Sequence, residues 1–148
     1  MIGAFGIPAE CHLEAVYPEK YLPGTTKANE PKAIYAAFKE MRRQPVERFV
    51  VVLLDRKNAI IGAVQVAQGG QSECCVDPRD VFHTALIGRA AAIILLHNHP
   101  SGDPHHSEDD LRLTKRLLDG AKILNVTILD HIIVGRNSYS SLKELGLM

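Results

Sequence analysis

The period of apolar and polar positions changes several times along the chain, and each change marks an element. From residue 29 the spacing is helical, with Ile34, Ala37, Phe38 and Met41 on one face, Asn29 placed to cap and Pro31 in the first turn. Gln44-Pro45 ends that run, because a residue before proline is pushed out of helical geometry. ERFVVVLLDRKNAIIGAVQVA then reads as two strands around Asp55-Arg56-Lys57-Asn58, a hairpin by composition and length. The first of these strands is apolar on both faces, which predicts a central position in a sheet. QGGQSECCV predicts a loop leading to a short strand.

Asp77-Pro78 is a cap followed by proline at the first helical position, and it opens a helix burying Val81, Phe82, Ala85 and Leu86. AAAIILL, residues 90 to 96, is a short buried strand running into HNHPSGDPHH. Ser107 opens a long helix to about Leu124, with Leu111, Leu113, Thr114, Leu117, Leu118 and Ala121 near helical spacing. VTILDHIIVG and YSSL form a second hairpin around Arg136-Asn137-Ser138. The order α-β-β-α-β-α-β-β predicts an α/β fold of the α+β type, a mixed β-sheet flanked by helices. Residues 1 to 28, rich in proline and glycine, read as an arm with one strand at His12 to Tyr17, and residues 29 to 148 as a single domain.

Composition narrows the function classes. Seventeen Lys and Arg balance seventeen Asp and Glu, and no basic block is longer than a pair such as Arg42-Arg43. Duplex binding draws most of its affinity from phosphate neutralisation, so strong nucleic-acid binding is not expected. Three cysteines, Cys11, Cys74 and Cys75, suit neither a disulfide framework nor a zinc pair, which points to a reducing, cytoplasmic setting. Neither an export signal nor an apolar span of membrane length is evident, so no membrane partner is expected.

The chemistry concentrates in LLHNHPSGDPHHSEDDL, residues 95 to 111. Alternate residues of a strand share a face, so His97 and His99 can aim both imidazoles at one point. Zn²⁺ favours imidazole nitrogen with carboxylate oxygen, and a hydrolytic site needs three protein ligands and an open position. Asp110, in the first turn of the following helix, is placed to be the third ligand, with Asp103, Asp109, His105 and His106 as rivals. Ser107-x-x-Asp110 is also a capping pattern, and acidic residues in a first turn are favoured by the helix dipole alone. Capping, however, needs no histidines. His131 in LDHIIV reads as a buried structural histidine well ahead of the alternative, a metal ligand.

The spacing His97-x-His99, seven residues, Ser107, two residues, Asp110 resembles the JAMM motif of MPN (JAB1-type) metalloproteins. HNHPSGDP, LTKRL, LDHIIVG and DPRDVF are similar to the bacterial RadC branch of that family, from about residue 30 to the C-terminus. The resemblance implies an MPN/JAB1 (cytidine-deaminase-like) architecture, with Zn²⁺ held by His97, His99 and Asp110 and Ser107 helping to stabilise an oxyanion. It also implies a glutamate near the start of a central strand, the position of Glu47 in VERFVVVL. Such a carboxylate can act as general base, since zinc brings the pKa of water to about 7. Two departures touch loop shape and substrate contacts. His106 precedes the motif serine where the branch usually has proline, and Asp77 stands where histidine is common.

Three functions compete at this stage. The first is a zinc-dependent peptidase or isopeptidase acting on a peptide or protein substrate. The second is a nucleic-acid role, suggested by the family's DNA-repair label and by the letters H-N-H, although ββα-metal nucleases spread those residues over a longer motif. The third is a noncatalytic scaffold, which usually lacks one or more ligands, whereas this chain has them all.

Overall fold

The computed structural model describes residues 28–69 and 75–148. The expected strand at His12 to Tyr17 and residues 70–74, Cys74 among them, lie outside that range. Helix α1 is Pro31–Ala37, continued by a 3-10 turn over Lys39–Arg43. Strands β1 (Arg48–Leu54) and β2 (Ile60–Gln68) form the first hairpin, followed by α2 (Pro78–Ile87), β3 (Ala92–Asn98), α3 (Glu108–Leu124), β4 (Thr127–Val134) and β5 (Tyr139–Ser141). The sheet order is β2-β1-β3-β4-β5, antiparallel except for the β3–β4 pair, which α3 connects. The mixed sheet flanked by helices is therefore present, and β1 is internal as its two-faced apolarity required.

Each face of the sheet has its own core. Val50, Val52, Leu54, Ile94, Leu96, Ile132 and Val134 pack with Ile34, Phe38 and Met41 from the N-terminal helical segment. Phe49, Val51, Leu53, Ile93 and Leu95 pack on the other side with Val81, Phe82, Ala85, Leu117 and Ala121 from α2 and α3. Strand alternation thus sends odd-numbered β3 residues toward α3 and even-numbered ones toward α1. His97 falls on the α3 side and Asn98 on the other.

Several expectations need correction. The N-cap of α1 is Glu30, without a side-chain cap, and not Asn29. Pro31 dictates this, because the residue before it must be extended, and Glu30 has φ −138° and ψ 142°. The α-helix stops at Ala37 and tightens into the 3-10 turn, so Ala37 is half-buried while Ile34, Phe38 and Met41 are fully buried. Cys75 and Val76 lead into α2 as irregular chain with no strand. Leu86 is 53% exposed, because the inward stripe of α2 is already filled by Val81, Phe82, Thr84 and Ala85. Finally, β3 begins at Ala92 and extends through Asn98, so His97 lies inside the strand and His99 just beyond it.

Candidate metal centre

Four side chains converge where the C-terminal end of β3 meets the start of α3. Glu47, His97, His99 and Asp110 each offer a donor atom, and these atoms all lie within 4.8 Å of one another. Nε2 of His97 is 3.0 Å from Nε2 of His99 and 3.1 Å from Oδ1 of Asp110, while Nε2 of His99 is 3.5 Å from Oδ2 of Asp110. His97 is fully buried, stacked on the Phe49 ring at a centroid distance of 5.7 Å.

Each member is held by the backbone that carries it. Ser107 caps α3 in a reciprocal box: its Oγ accepts from the Asp110 N–H (3.1 Å), and its own N–H donates to Asp110 Oδ2 (2.7 Å). The capping and catalytic readings of Ser-x-x-Asp are therefore compatible. The box leaves Oδ1 aimed at His97 and the Ser107 hydroxyl proton available to another acceptor.

His99 depends on the loop after β3. Its Nδ1–H donates to the Asp103 carbonyl (2.9 Å), and its backbone N–H donates to the Val134 carbonyl (3.1 Å). The loop is stapled to the β4–β5 turn by the Arg136 N–H donating to the Gly102 carbonyl (2.9 Å). Gly135 permits this approach, since a Cβ there would lie 2.7 Å from the Gly102 carbonyl oxygen.

Glu47 precedes β1 and is clamped by Asn98, the middle residue of H-N-H. Asn98 Oδ1 accepts from the Arg48 N–H (2.9 Å), and its Nδ2 donates to the Val46 carbonyl (3.1 Å). The Glu47 carbonyl itself accepts from the Gly69 N–H (2.8 Å). The backbone is thus fixed at, before and after the glutamate.

The hydrogen bonds also assign the ring tautomers. Thr114 Oγ1 donates its one proton to the Asp110 carbonyl (2.6 Å), so it must accept from His131 Nδ1–H (2.6 Å). His131 Nε2 is then bare and accepts from His97 Nδ1–H (2.8 Å). Nε2 of His97 and Nε2 of His99 both present lone pairs to each other and to a carboxylate. Only a cation relieves that arrangement, either a proton or a metal ion, so this donor set fits a borderline divalent metal.

The ionisation of the cluster follows from the same geometry. Burial opposes charge on Asp110, but when a proton is the cation in the cluster, the hydrogen bonds that the His97 and His99 rings then make to it, with the Ser107 N–H, outweigh burial and hold the carboxyl well below the usual carboxylate range. The Asp110 carboxylate pushes the His99 pKa up, against desolvation. Burial, reinforced by the neighbouring His97, pushes the His131 pKa far down and keeps that ring neutral.

The rival candidates stay outside the group. Asp103 is exposed and accepts from the His105 N–H, Asp109 pairs with Arg112, and His105 stacks on His106. Glu108 is exposed and Cys75 is an exposed free thiol. His131 touches His97 and does not reach the donor cluster itself. Sequence reasoning did not assign Asn98 or Thr114 a part in the site. A buried amide between two histidines and a buried threonine one turn after Asp110 were the available signals, since both must be hydrogen-bonded. The cluster opens to a cleft of about 590 Å³, lined by Glu47, His99 and Ser107 and further out by Val76, Leu113 and Arg116.

A family model described as RadC-like JAB domain matches residues 28–147. Among curated relatives, a UPF0758 protein of Pelobacter propionicus is 39% identical over 149 residues, covering 100% of this chain and 65% of its own length. One from Methanosarcina mazei is 42% identical over 123 residues (82% and 54%), and one from Syntrophomonas wolfei 46% over 112 residues (76% and 48%). The chain spans about half to two-thirds of the length of these relatives, whose names state no reaction. No helix among the described residues is long and apolar enough to cross a membrane. With the motif residues gathered at one end of the sheet and the match running over nearly all of the described chain, the protein belongs to the RadC-like JAB domain family of the JAMM/MPN superfamily.

Proposed function

We propose that this chain is a JAMM-type zinc-dependent hydrolase that cleaves an amide bond in a peptide or protein substrate, as a peptidase or isopeptidase. The observation that carries the reading is the convergence of two bare imidazole nitrogens and a buried carboxylate beside a second carboxylate at the mouth of a cleft. His97, His99 and Asp110 would hold the metal, which when bound supplies Lewis-acid polarisation of the scissile carbonyl and acidifies water.

The remaining chemistry belongs to side chains. Glu47, clamped by Asn98 yet facing the cleft, takes the proton of the attacking water and passes it to the leaving amine. The Ser107 hydroxyl, fixed by the cap, donates to the oxyanion as the carbonyl becomes tetrahedral. Phe49 shields the buried side of the site from water, which strengthens each of these polar interactions.

The test compares two variants of protein purified without a histidine tag, by elemental analysis and by cleavage of a peptide library. Glu47→Gln should keep about one zinc per chain and lower hydrolysis by about 10²- to 10⁴-fold, the usual scale for losing a general base. Asp110→Asn should lose the metal itself. A wild-type chain that retains no zinc, or a Glu47→Gln variant with full activity, refutes the assignment.

A further inference from the structure

The hydrogen bonds behind His97 form a one-directional circuit that metal ligation alone does not require. It runs from His97 Nδ1–H to His131 Nε2, from His131 Nδ1–H to Thr114 Oγ1, and from Thr114 Oγ1–H to the backbone carbonyl of Asp110. Its distances are 2.8, 2.6 and 2.6 Å, and His97, His131 and Thr114 are at most 1% exposed. The circuit leaves from one candidate ligand and ends on the main chain of another, crossing from β3 through β4 to α3. Its polarity is set by the carbonyl, the one member that can only accept.

We propose that Thr114 and His131 are positioning residues that hold His97 in the tautomer whose bare Nε2 faces the metal, so that a buried threonine hydroxyl tunes zinc affinity from two bonds away. This rests on the metal reading above. A ligating histidine ordinarily gives its second N–H to a carboxylate, a carbonyl or water. His99 follows that rule through the Asp103 carbonyl. His97 donates instead to an imidazole, which could equally well donate back, and only the threonine resolves that ambiguity.

Removing the hydroxyl reverses the circuit. In Thr114→Val the His131 Nδ1–H loses its acceptor, so the ring moves its proton to Nε2 and donates to His97 Nδ1. The His97 proton then sits on Nε2, inside the donor cluster, where it must be displaced before a metal can bind. Thr114→Ser retains the hydroxyl and restores the original polarity. His131→Gln keeps one acceptor and one donor, whereas His131→Leu keeps neither.

The experiment uses the full chain, with folding of every variant checked by circular dichroism. Long-range ¹H–¹⁵N correlation spectra of metal-free protein under mildly alkaline conditions read the tautomers, and zinc titration against a chromophoric chelator reads affinity. His97 should carry its proton on Nδ1 in the wild type and Thr114→Ser, and on Nε2 in Thr114→Val. Zinc affinity should fall about 10- to 100-fold in Thr114→Val and His131→Leu, and recover in Thr114→Ser and largely in His131→Gln. An Nε2–H tautomer in the wild type overturns the inference. So does zinc affinity within about twofold of a tightly binding wild type in both Thr114→Val and His131→Leu, which leaves the metal site standing. A wild type that binds no zinc overturns the metal reading and this inference together.

Discussion

Replacing Asn98 with leucine tests whether the middle residue of H-N-H serves Glu47, the proposed general base. The side chain is 1% exposed and satisfies two backbone groups, the Arg48 N–H and the Val46 carbonyl. Leucine has a similar volume and offers neither partner. A buried polar group left unpaired costs about 1–3 kcal/mol. Val46 and Arg48 are only half-buried, so water can partly replace the lost bonds and the lower half of that range applies. Two groups at about 1–2 kcal/mol give about 2–4 kcal/mol, a large fraction of the roughly 5–15 kcal/mol that keeps a domain folded. Urea unfolding followed by circular dichroism measures this directly. Zinc content should be unchanged, because Asn98 touches none of His97, His99 and Asp110 through its side chain, while hydrolysis should fall by about 10²-fold from a base displaced by about 1 Å. Asn98→Leu with stability within about 0.5 kcal/mol of wild type would refute the clamp. Loss of zinc in parallel with activity would refute its specificity for Glu47.

Three further outcomes are expected. Gly135→Ala should cost about 1–3 kcal/mol and weaken zinc retention, because the added methyl presses on Gly102, Pro104 and Ser138 and displaces the loop that carries His99; thermal unfolding with and without chelator measures both. In metal-free protein, His131 stays neutral when folded, so stability should fall as pH drops below its ordinary value of 6.5, by up to about 1.4 kcal/mol per pH unit. His99 acts oppositely: its stabilisation is complete below 6.5 and is lost as pH rises through its raised folded value, which places the maximum near 6.5. Urea midpoints across pH check this, and His131→Gln should remove the acid limb. With formal net charge +0, the chain should bind duplex DNA no tighter than the nonspecific range of about 10⁻⁴ to 10⁻⁶ M at physiological salt; fluorescence anisotropy decides, and tighter salt-sensitive binding would revive a nucleic-acid role.

The elements were legible because their periods are clean: β1 is apolar on both faces, α3 carries one stripe, and Pro31 and Pro78 mark helix starts. His97, His99 and Asp110 were legible because strand alternation and a capping box are local. The support behind them was not, and β4 shows why. Ile128 packs on the α2/α3 face, and strict alternation would put Asp130 there and turn His131 away. The β3–β4 register shifts between Ile93 and Ile94, so that Ile93 faces Ile128 while Ile94 faces Asp130. That extra residue turns His131 toward α3, and one-residue irregularities of this kind have no signature in composition or spacing. Asn98 was missed for a related reason, since its partners lie fifty and fifty-two residues away.

The staple between the loop after β3 and the β4–β5 turn has a consequence for biosynthesis. All four donor residues are synthesised before His131 and Gly135, although those two hold His97 and the His99 loop in place. At ordinary elongation rates the interval from Asp110 to Gly135 lasts about 1 to 5 s. During it the nascent chain has its full set of donors without the scaffold that aims them, so the donor cluster can assemble only once the last hairpin is in place.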